Sequence, residues 1–200
     1  MKKQWQTLCS GLMIVGAAVG ATSALAGVEA PGAIPEELSP FVPAQSHVVT
    51  YKAADLNGDG LSDYVLISES DAEANKGERS LRLITRQSDK SLKLVKENNK
   101  VVLCATCGGV MGDPLDAVTA KSRLLMVRHQ GGSNTRWVNN VSFGYSHVDN
   151  TWQVTRIDEG TWSSVEPNKI TRARFTPPKD FGKIDIADFD PENYKGVGEK

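Results

Sequence analysis

The sequence predicts an all-β fold, either a mainly antiparallel β-sandwich or a curved meander sheet, with one short helix. Three observations lead to this prediction. Apolar residues recur at every second position in many short segments, which is typical of strands with one buried face. Short polar turns separate these segments. Strands and helices do not alternate regularly, so the sequence does not favour a parallel sheet.

The first 26 residues have the layout of a cleavable secretory signal. Lys2 and Lys3 precede an apolar stretch from Leu8 to Val19, and the small residues Ala24 and Ala26 follow it. The apolar stretch is short for a bilayer span of roughly 20 residues. We therefore expect cleavage after Ala26, a periplasmic or secreted protein, and no membrane span after signal removal.

The charge balance of the chain points to no particular partner. Removal of the signal takes away two of the 23 basic residues and none of the 24 acidic ones, which leaves a net charge of −3. Nucleic-acid-binding domains usually carry an excess of basic residues. We therefore expect no nucleic acid partner.

Residues 27–46 form a proline-rich lead-in that contains four prolines. Proline fixes φ and removes a backbone donor, so an extended or irregular path is expected. A single helical turn is predicted near Pro35–Leu38.

The main β domain is predicted to run from residue 47 to residue 176. In its first half, Leu81 and Leu83 alternate with Arg82 and Ile84, which indicates a strand with two different faces. Other segments alternate in the same way or are rich in β-branched residues. The strands predicted here are 47–54, 63–69, 79–87, 91–97 and 100–105.

Residues 112–120 interrupt this pattern and predict the short helix. Asp113 is a good helix cap, Pro114 suits the first helical position, and Asp116 would lie near the positive end of the helix.

Strands return after this segment, with turns at Gly131–Thr135 and at Asp149-Asn150. Alternation in the segment after the second turn places Trp152, Val154 and Arg156 on one face. Residues 177–200 are rich in acidic residues and predict a solvated C-terminal tail. The strands predicted in this half are 123–129, 136–148, 151–158 and 169–175.

The segment DLNGDGLSD, residues 55–63, carries three carboxylates in one tight turn. Calcium binds hard oxygen ligands, and such a loop supplies them at regular spacing. Asp55, Asn57, Asp59 and Asp63 occupy the first, third, fifth and ninth positions, and the carbonyl of Leu61 occupies the seventh. The sequence therefore predicts calcium as the cofactor, bound by these five residues.

This loop differs from a helix-loop-helix calcium hand. Such a hand needs a glutamate at its twelfth position, where this chain has Leu66 inside a strand-like run. Gly58 and Gly60 permit the positive φ that a tight wrap requires. An alternative interpretation is a plain hairpin turn, although a turn alone needs neither Asp55 nor Asp63.

Residues 54–67, ADLNGDGLSDYVLI, resemble the calcium loop of FG-GAP and VCBS repeats. These repeats occur in integrin-type propellers and in many exported bacterial proteins. Propellers repeat the loop, whereas this chain has one copy of it. The resemblance implies calcium binding in an exported bacterial protein and implies no enzymatic activity.

Signal removal leaves two cysteines, Cys104 and Cys107, in the sequence CATC. In an oxidising compartment, a disulfide between them is the expectation. Two alternatives remain open. The pair could be a redox centre, or half of a zinc site completed by a histidine. The candidate histidines are His47, His129 and His147.

Tryptophans and a tyrosine in the second half of the domain predict either core packing or a surface for sugars or peptides. These residues are Trp137, Tyr145, Trp152 and Trp162, with Arg136 beside them.

The sequence favours a binding or interaction module whose partner is a protein, a glycan or a cell-envelope ligand. The alternative is an extracytoplasmic thiol-disulfide redox protein that uses the cysteine pair. His129 and Ser133 lie close together in sequence, but no G-x-S-x-G motif marks a hydrolase. No catalytic residue is predicted.

Overall fold

The structure is a computed structural model that describes residues 33–196. The predicted signal peptide, residues 1–26, lies outside these residues, as do the start of the lead-in and residues 197–200. Within the described part of the chain, no helix is long and apolar enough to cross a membrane.

Two antiparallel sheets make up the fold, and each is a meander in which sequential strands pair. The first sheet has four strands and the second has five, which confirms the predicted all-β antiparallel class. The first sheet contains β1 (Ser46–Ala54), β2 (Asp63–Ser70), β3 (Arg79–Arg86) and β4 (Leu92–Asn98). The second contains β5 (Leu115–Lys121), β6 (Leu124–Gly132), β7 (Thr135–Ser146), β8 (Thr151–Ser163) and β9 (Thr171–Phe175).

The inner faces of the two sheets share one hydrophobic core. Leu81 and Leu83 of β3 belong to the same buried cluster as Val127 of β6 and Val141 and Phe143 of β7. Because alternate residues of a strand point to opposite faces, the period-two pattern of the sequence places these side chains on the inner side. Burial of this common surface joins the sheets into one unit.

The outer face of the first sheet is covered by the proline-rich lead-in. A 3₁₀ turn, Glu36–Phe41, lies where the sequence predicts a helical turn. Its Leu38 is fully buried in a second cluster with Tyr64, Leu66 and Ile84. The central strands of the first sheet, β2 and β3, are therefore largely buried on both faces.

The predicted helix at residues 112–120 is wrong, because most of this segment is strand β5, paired with β6. Only a three-residue 3₁₀ turn, Gly109–Met111, precedes it. Asp113 does not cap a helix. Its carboxylate accepts hydrogen bonds from the Arg79 side chain and from the Leu115 amide instead.

The predicted strand at residues 100–105 is also wrong, since this segment is an irregular loop. Asn98 turns the chain there, because its Oδ1 accepts hydrogen bonds from the amides of Lys100 at 2.6 Å and Val101 at 2.8 Å. Val101 and Val102 are nevertheless buried in the core. Their apolar character therefore reflects burial without strand pairing.

The predicted solvated tail is wrong as far as residue 196. Amide hydrogen bonds join Val154 of β8 to the Ile184 carbonyl at 3.0 Å and Ile186 to the Trp152 carbonyl at 2.9 Å. The segment thus runs beside β8 and closes the core. Its buried side chains are Phe181, Ile184, Ile186, Phe189 and Tyr194.

A β-bulge in β8 changes which residues face the core. The register between β7 and β8 shifts at Ser142/Phe143, so that Phe143 pairs with Val154 but Ser142 pairs with Arg156. Ile157 rather than Arg156 therefore joins Val154 in the core. The prediction that Arg156 shares a face with Trp152 is wrong.

Candidate functional site

The aspartate-rich loop connects β1 to β2 and is held by the core and by the second sheet. Leu56 is fully buried, and its carbonyl accepts a hydrogen bond from Trp152 Nε1 at 2.8 Å. The amide of Arg123, in the β5–β6 turn, donates to the carbonyl of Asp55 at 2.8 Å. The second sheet therefore fixes the start of the loop.

The carboxylate of Asp55 organises the turn itself. Its Oδ1 accepts a hydrogen bond from the Gly58 amide at 2.6 Å, and its Oδ2 accepts one from the Gly60 amide at 3.1 Å. Both glycines have positive φ, 84° and 85°. The backbone therefore wraps around this side chain in a conformation that residues with a Cβ adopt at a cost.

Asp59 and Asn57 form the exposed part of the loop. Asp59 Oδ1 accepts a hydrogen bond from the Leu61 amide at 2.8 Å, and its Oδ2 accepts one from Asn57 Nδ2 at 2.8 Å. Asn57 Oδ1 accepts from the Asp59 amide at 3.0 Å. Each carboxylate oxygen of Asp55 and Asp59 thus accepts one hydrogen bond and keeps a lone pair for another contact.

Asp63 is buried beneath the loop. Its Oδ2 accepts a hydrogen bond from the Leu56 amide and its Oδ1 from the Arg86 amide, both at 2.9 Å. Burial raises the pKa of this carboxyl above its usual value, although the two amides oppose the shift, and the charges of Asp59 and Asp55 raise it further. The pKa of Asp63 therefore depends on the negative charges of the loop.

No basic side chain of residues 33–196 forms an ion pair with Asp55, Asp59 or Asp63. Arg86 instead pairs with Glu37 at 2.6 Å. The side chain of Arg123 packs against Gly58 of the loop, but its Nη1 bonds to His147 Nε2 at 3.1 Å rather than to a carboxylate. Hydrogen bonds from Arg86 and Tyr64 lower the pKa of Glu37. The lead-in thus neutralises Arg86, and the three carboxylates of the loop have no ion-pair partner among residues 33–196.

The five predicted calcium ligands, Asp55, Asn57, Asp59, Leu61 and Asp63, lie on one turn. The chemistry of the set suits calcium, since it offers carboxylate, amide and carbonyl oxygens. Among residues 33–196, however, no three acidic, histidine or cysteine side chains lie close enough together to share one ion. The loop thus offers the right types of oxygen donor, although its three carboxylates are not grouped around one point in this structure.

A cleft of about 480 Å³ opens beside this loop. Asn57, Asp59 and Leu61 form one wall, and Tyr145 and Trp152 contribute to the opposite one. A molecule bound in this cleft would contact the predicted calcium ligands directly.

Cys104 and Cys107 form a disulfide, with their Cα atoms 5.2 Å apart, as the sequence predicts. The Cys107 amide donates to the Cys104 carbonyl at 3.0 Å, so the bond closes a tight turn. Cys107 is exposed and Cys104 is half-buried. In this state neither sulfur is available as a zinc ligand.

A buried arginine, Arg79 of β3, connects this cysteine loop to both sheets. It is 4% exposed and donates to Glu69 at 2.8 Å, to both oxygens of Asp113 at 2.7 and 2.5 Å, and to the Leu103 carbonyl at 3.3 Å. Burial opposes its charge, but the hydrogen bonds that it donates to Asp113 and Glu69 outweigh this effect and raise its pKa.

The sequence does not reveal this network, because Arg79 and Asp113 are 34 residues apart. The one local signal is an arginine at the start of an otherwise alternating strand. Because Arg79 is buried, loss of its acidic partners would leave an unpaired charge inside the protein, so the network helps to hold the cysteine loop in place.

His129 has a structural position rather than a catalytic one. It is 2% exposed, and its Nε2 accepts a hydrogen bond from the Leu103 amide at 3.3 Å. Burial, assisted by the charge of Arg79, lowers its pKa to about 4. Ser133 lies in the exposed turn between β6 and β7.

The aromatic residues lie in two different environments, the core and the outer face of the second sheet. Trp152 is buried, and Tyr145 packs against it with ring centroids 4.9 Å apart. Trp137 lies over Gly131, where an added Cβ would come within 2.6 Å of the indole. Trp162 is different, because it lies on the outer face of β8 opposite Arg136.

Comparisons of the chain with family models, with curated proteins and with solved structures gave no match. The functional inference therefore rests on the residues and the geometry described above.

Proposed function

We propose that this chain is an exported calcium-binding β-domain that acts as a binding module in the periplasm or outside the cell. The observation that carries the proposal is the cluster of three carboxylates in the loop at residues 55–63. Three carboxylates share one turn without an ion pair to any basic side chain of residues 33–196. A divalent cation would relieve their repulsion.

The hydrogen bonds of the loop support this role. Backbone amides already orient Asp55 and Asp59, so less conformational entropy would be lost when an ion binds. The free lone pairs of both carboxylates and the side chain of Asn57 would supply ligands, with water completing the shell.

Calcium would gather the carboxylates of the loop around one ion. The ion would then stabilise the β1–β2 connection and the Leu56–Trp152 contact beneath it. A structural role therefore fits better than a catalytic one, since no acid or base of the loop is left free beside the ion.

Calcium titration of the metal-free mature chain tests this proposal. We expect the melting temperature to rise with calcium, because a ligand that binds only the folded state stabilises it by about 2.7 kcal/mol at 100 times its Kd. The double variant Asp55→Asn/Asp59→Asn should lose this rise. Glu73→Gln/Glu78→Gln, which removes two acidic groups outside the loop, should keep it.

The proposal fails if millimolar calcium leaves the melting temperature of the wild-type chain unchanged. A rise of equal size in the double variant would place calcium elsewhere on the chain.

The export part of the proposal has its own measurement. Cell fractionation followed by mass spectrometry should find the protein outside the cytoplasm with Gly27 as its first residue. A protein that retains Met1 and stays in the cytoplasm would contradict it.

A second candidate function is thiol-disulfide exchange, which the exposure of Cys107 favours. An attacking thiolate needs access to one sulfur of the bond, and Cys107 provides it. If this function is correct, the chain catalyses insulin reduction in the presence of dithiothreitol, and Cys104→Ser/Cys107→Ser abolishes the activity. A reduction potential below about −300 mV would instead indicate a structural bond.

A further inference from the structure

The outer face of the second sheet carries an excess of positive charge. Strand register places Arg128, Asn140, Asp158 and Arg174 in one row across β6 to β9. Neighbouring rows add three more arginines on the same face, because alternate residues of a strand share a face. The arginines of this surface, which we call the arginine face, are Arg128, Arg136, Arg156, Arg172 and Arg174.

Among residues 33–196, two acidic residues form ion pairs with arginines of this face. Asp158 lies between Arg156 at 2.8 Å and Arg174 at 2.6 Å, and Asp116 pairs with Arg128 at 2.6 Å. The whole chain has a net charge of −1. The positive charge is therefore concentrated on one face of a mildly acidic molecule, and this face is complementary to an anionic partner.

Nothing in residues 33–196 covers the arginine face. The first sheet differs in this respect, because the 3₁₀ turn Glu36–Phe41 buries its outer side. The side chains of Arg156 and Arg174 remain 47% and 66% exposed. These two guanidinium groups are thus accessible to a ligand in solution.

One end of the arginine face combines an aromatic ring with two free cations. Trp162 of β8 pairs in register with Arg136 of β7, and Arg172 of β9 pairs with Gly160, two residues from Trp162. Within the described part of the chain, neither Arg136 nor Arg172 forms an ion pair. Strands lie about 4.8 Å apart, so both guanidinium groups lie within reach of a ligand on the indole.

Gly160 has no side chain to project from this end of the arginine face. A Cβ at Gly160 would lie 2.9 Å from Val138 Cγ1 and 3.7 Å from Ile170 Cγ2. These two apolar side chains therefore fill the space that a larger residue would occupy. The result is a shallow apolar floor beside Trp162, bordered by Arg136 and Arg172.

We propose that the arginine face binds an acidic polysaccharide, with the end formed by Arg136, Trp162 and Arg172 as its main contact. Sugar rings present apolar C–H faces that pack on an indole, and guanidinium groups bind carboxylates through paired hydrogen bonds. This inference rests on the proposed role as an exported binding module, because export brings the protein into contact with envelope glycans.

A lipid surface fits the face less well than a glycan. Stable attachment to a bilayer needs several apolar side chains that enter the acyl region, and the large apolar side chains exposed at this face are Leu124 and Ile170, at 40% and 37%. Anionic vesicles are therefore a competing ligand in the test, and so is DNA, whose phosphates attract any basic surface.

The experiment uses the mature chain in EDTA, so that calcium plays no part in the outcome. Calorimetry with polygalacturonate fragments, a polymer of acidic sugars, should show binding that weakens as salt is added. Dextran, a neutral polysaccharide, should not bind.

Two variants test the site. Arg136→Gln/Arg172→Gln and Trp162→Ala should each weaken binding at least tenfold. A matched control, Lys76→Gln/Lys93→Gln, removes two exposed charges from the first sheet and should change the affinity less than twofold. Thermal melting checks that every variant is folded.

Equal affinity of the wild type and the double arginine variant for polygalacturonate would overturn the inference. Vesicles or DNA that bind as tightly as the polysaccharide would overturn it too, because they would show attraction by charge alone. Calcium-dependent melting is measured separately, so the failure of one proposal is distinguishable from the failure of the other.

Discussion

Gly58 and Gly60 have almost the same backbone conformation but different surroundings, and this makes them a matched pair. A Cβ at Gly58 would lie 2.8 Å from the Arg123 side chain, whereas a Cβ at Gly60 would meet nothing within 4 Å. At the residue scale, Arg123 therefore determines how closely the loop packs against the second sheet.

We expect Gly60→Ala to destabilise the metal-free protein by about 1–2 kcal/mol, the cost of a left-handed residue with a Cβ. Gly58→Ala should cost up to about 1 kcal/mol more, because the exposed Arg123 side chain must move away from the added methyl group. Urea unfolding measures both values. With Arg123→Ala in the background, the two penalties should become equal. If they stay different, the contact is not the cause.

The buried His129 predicts a pH dependence of stability. Its pKa is about 4 in the folded chain and 6.5 in the unfolded one. Between these two pH values, His129 is protonated in the unfolded chain but neutral in the folded chain. The free energy of unfolding therefore falls as pH decreases from 6.5 towards 4. The total loss of unfolding free energy from this group is about 3 kcal/mol, and its contribution to the pH dependence vanishes above pH 6.5.

His129→Gln should remove this part of the slope while it keeps an oxygen to accept from the Leu103 amide. Urea unfolding between pH 5 and 7 measures the slope in both proteins. His47→Gln, at an exposed position, is the control and should keep the slope of the wild type. The same slope in His129→Gln and the wild type would contradict the assignment.

At the scale of elements, the segment after β9 is part of the core rather than a tail. Phe189 is 1% exposed and packs on Phe143 with ring centroids 5.7 Å apart. Asn98 Nδ2 donates to the carbonyls of Ile186 and Phe189, each at 2.8 Å, and so fixes the segment to the end of β4.

Phe189→Ala should therefore destabilise the protein by about 3–5 kcal/mol, as large-to-small changes in a core do. Val165→Ala, at a position that is 85% exposed, should change the stability by no more than about 0.5 kcal/mol. Chemical denaturation compares the two. Similar small losses in both variants would mean that the segment is not part of the core.

The sequence predicts a strand well where its own alternation of side chains determines which residues are buried. In β3, Leu81 and Leu83 face the core while Ile84 faces the lead-in, as the alternation predicts. Elements whose burial depends on distant partners were not predictable. The carboxylate of Asp113 binds Arg79 instead of capping a helix. Phe181 and Phe189 lie in a segment without period-two alternation, so the sequence does not indicate that they are buried.

In the candidate site, too, local features were predictable from the sequence and features that depend on distant residues were not. The turn around Asp55 and Asp59 depends on residues within nine positions of each other, so its donors are apparent from the sequence. The burial of Asp63 and the anchoring of Leu56 by Trp152 depend on both sheets. Sequence spacing shows which oxygens are present, but it does not show how far apart they lie.

At the scale of the whole molecule, one core shared by two sheets predicts a single cooperative unit. Leu83 of the first sheet and Val141 of the second belong to the same buried cluster. Loss of either sheet would expose the inner face of the other to water.

Native-state hydrogen exchange tests this cooperativity. We expect the most protected amides of β2 and β3 to exchange with the same free energy of opening as those of β7 and β8, within about 1 kcal/mol. Leu83→Ala should lower both values by the same amount. A fall confined to the first sheet would show that the two sheets unfold independently.

The indole of Trp152 bonds to the carbonyl of Leu56, the residue next to Asp55. The protein therefore carries an intrinsic chromophore coupled to its own loop. Any rearrangement of the acidic turn must alter the local field at the ring, so the emission maximum provides a label-free optical readout of ligation.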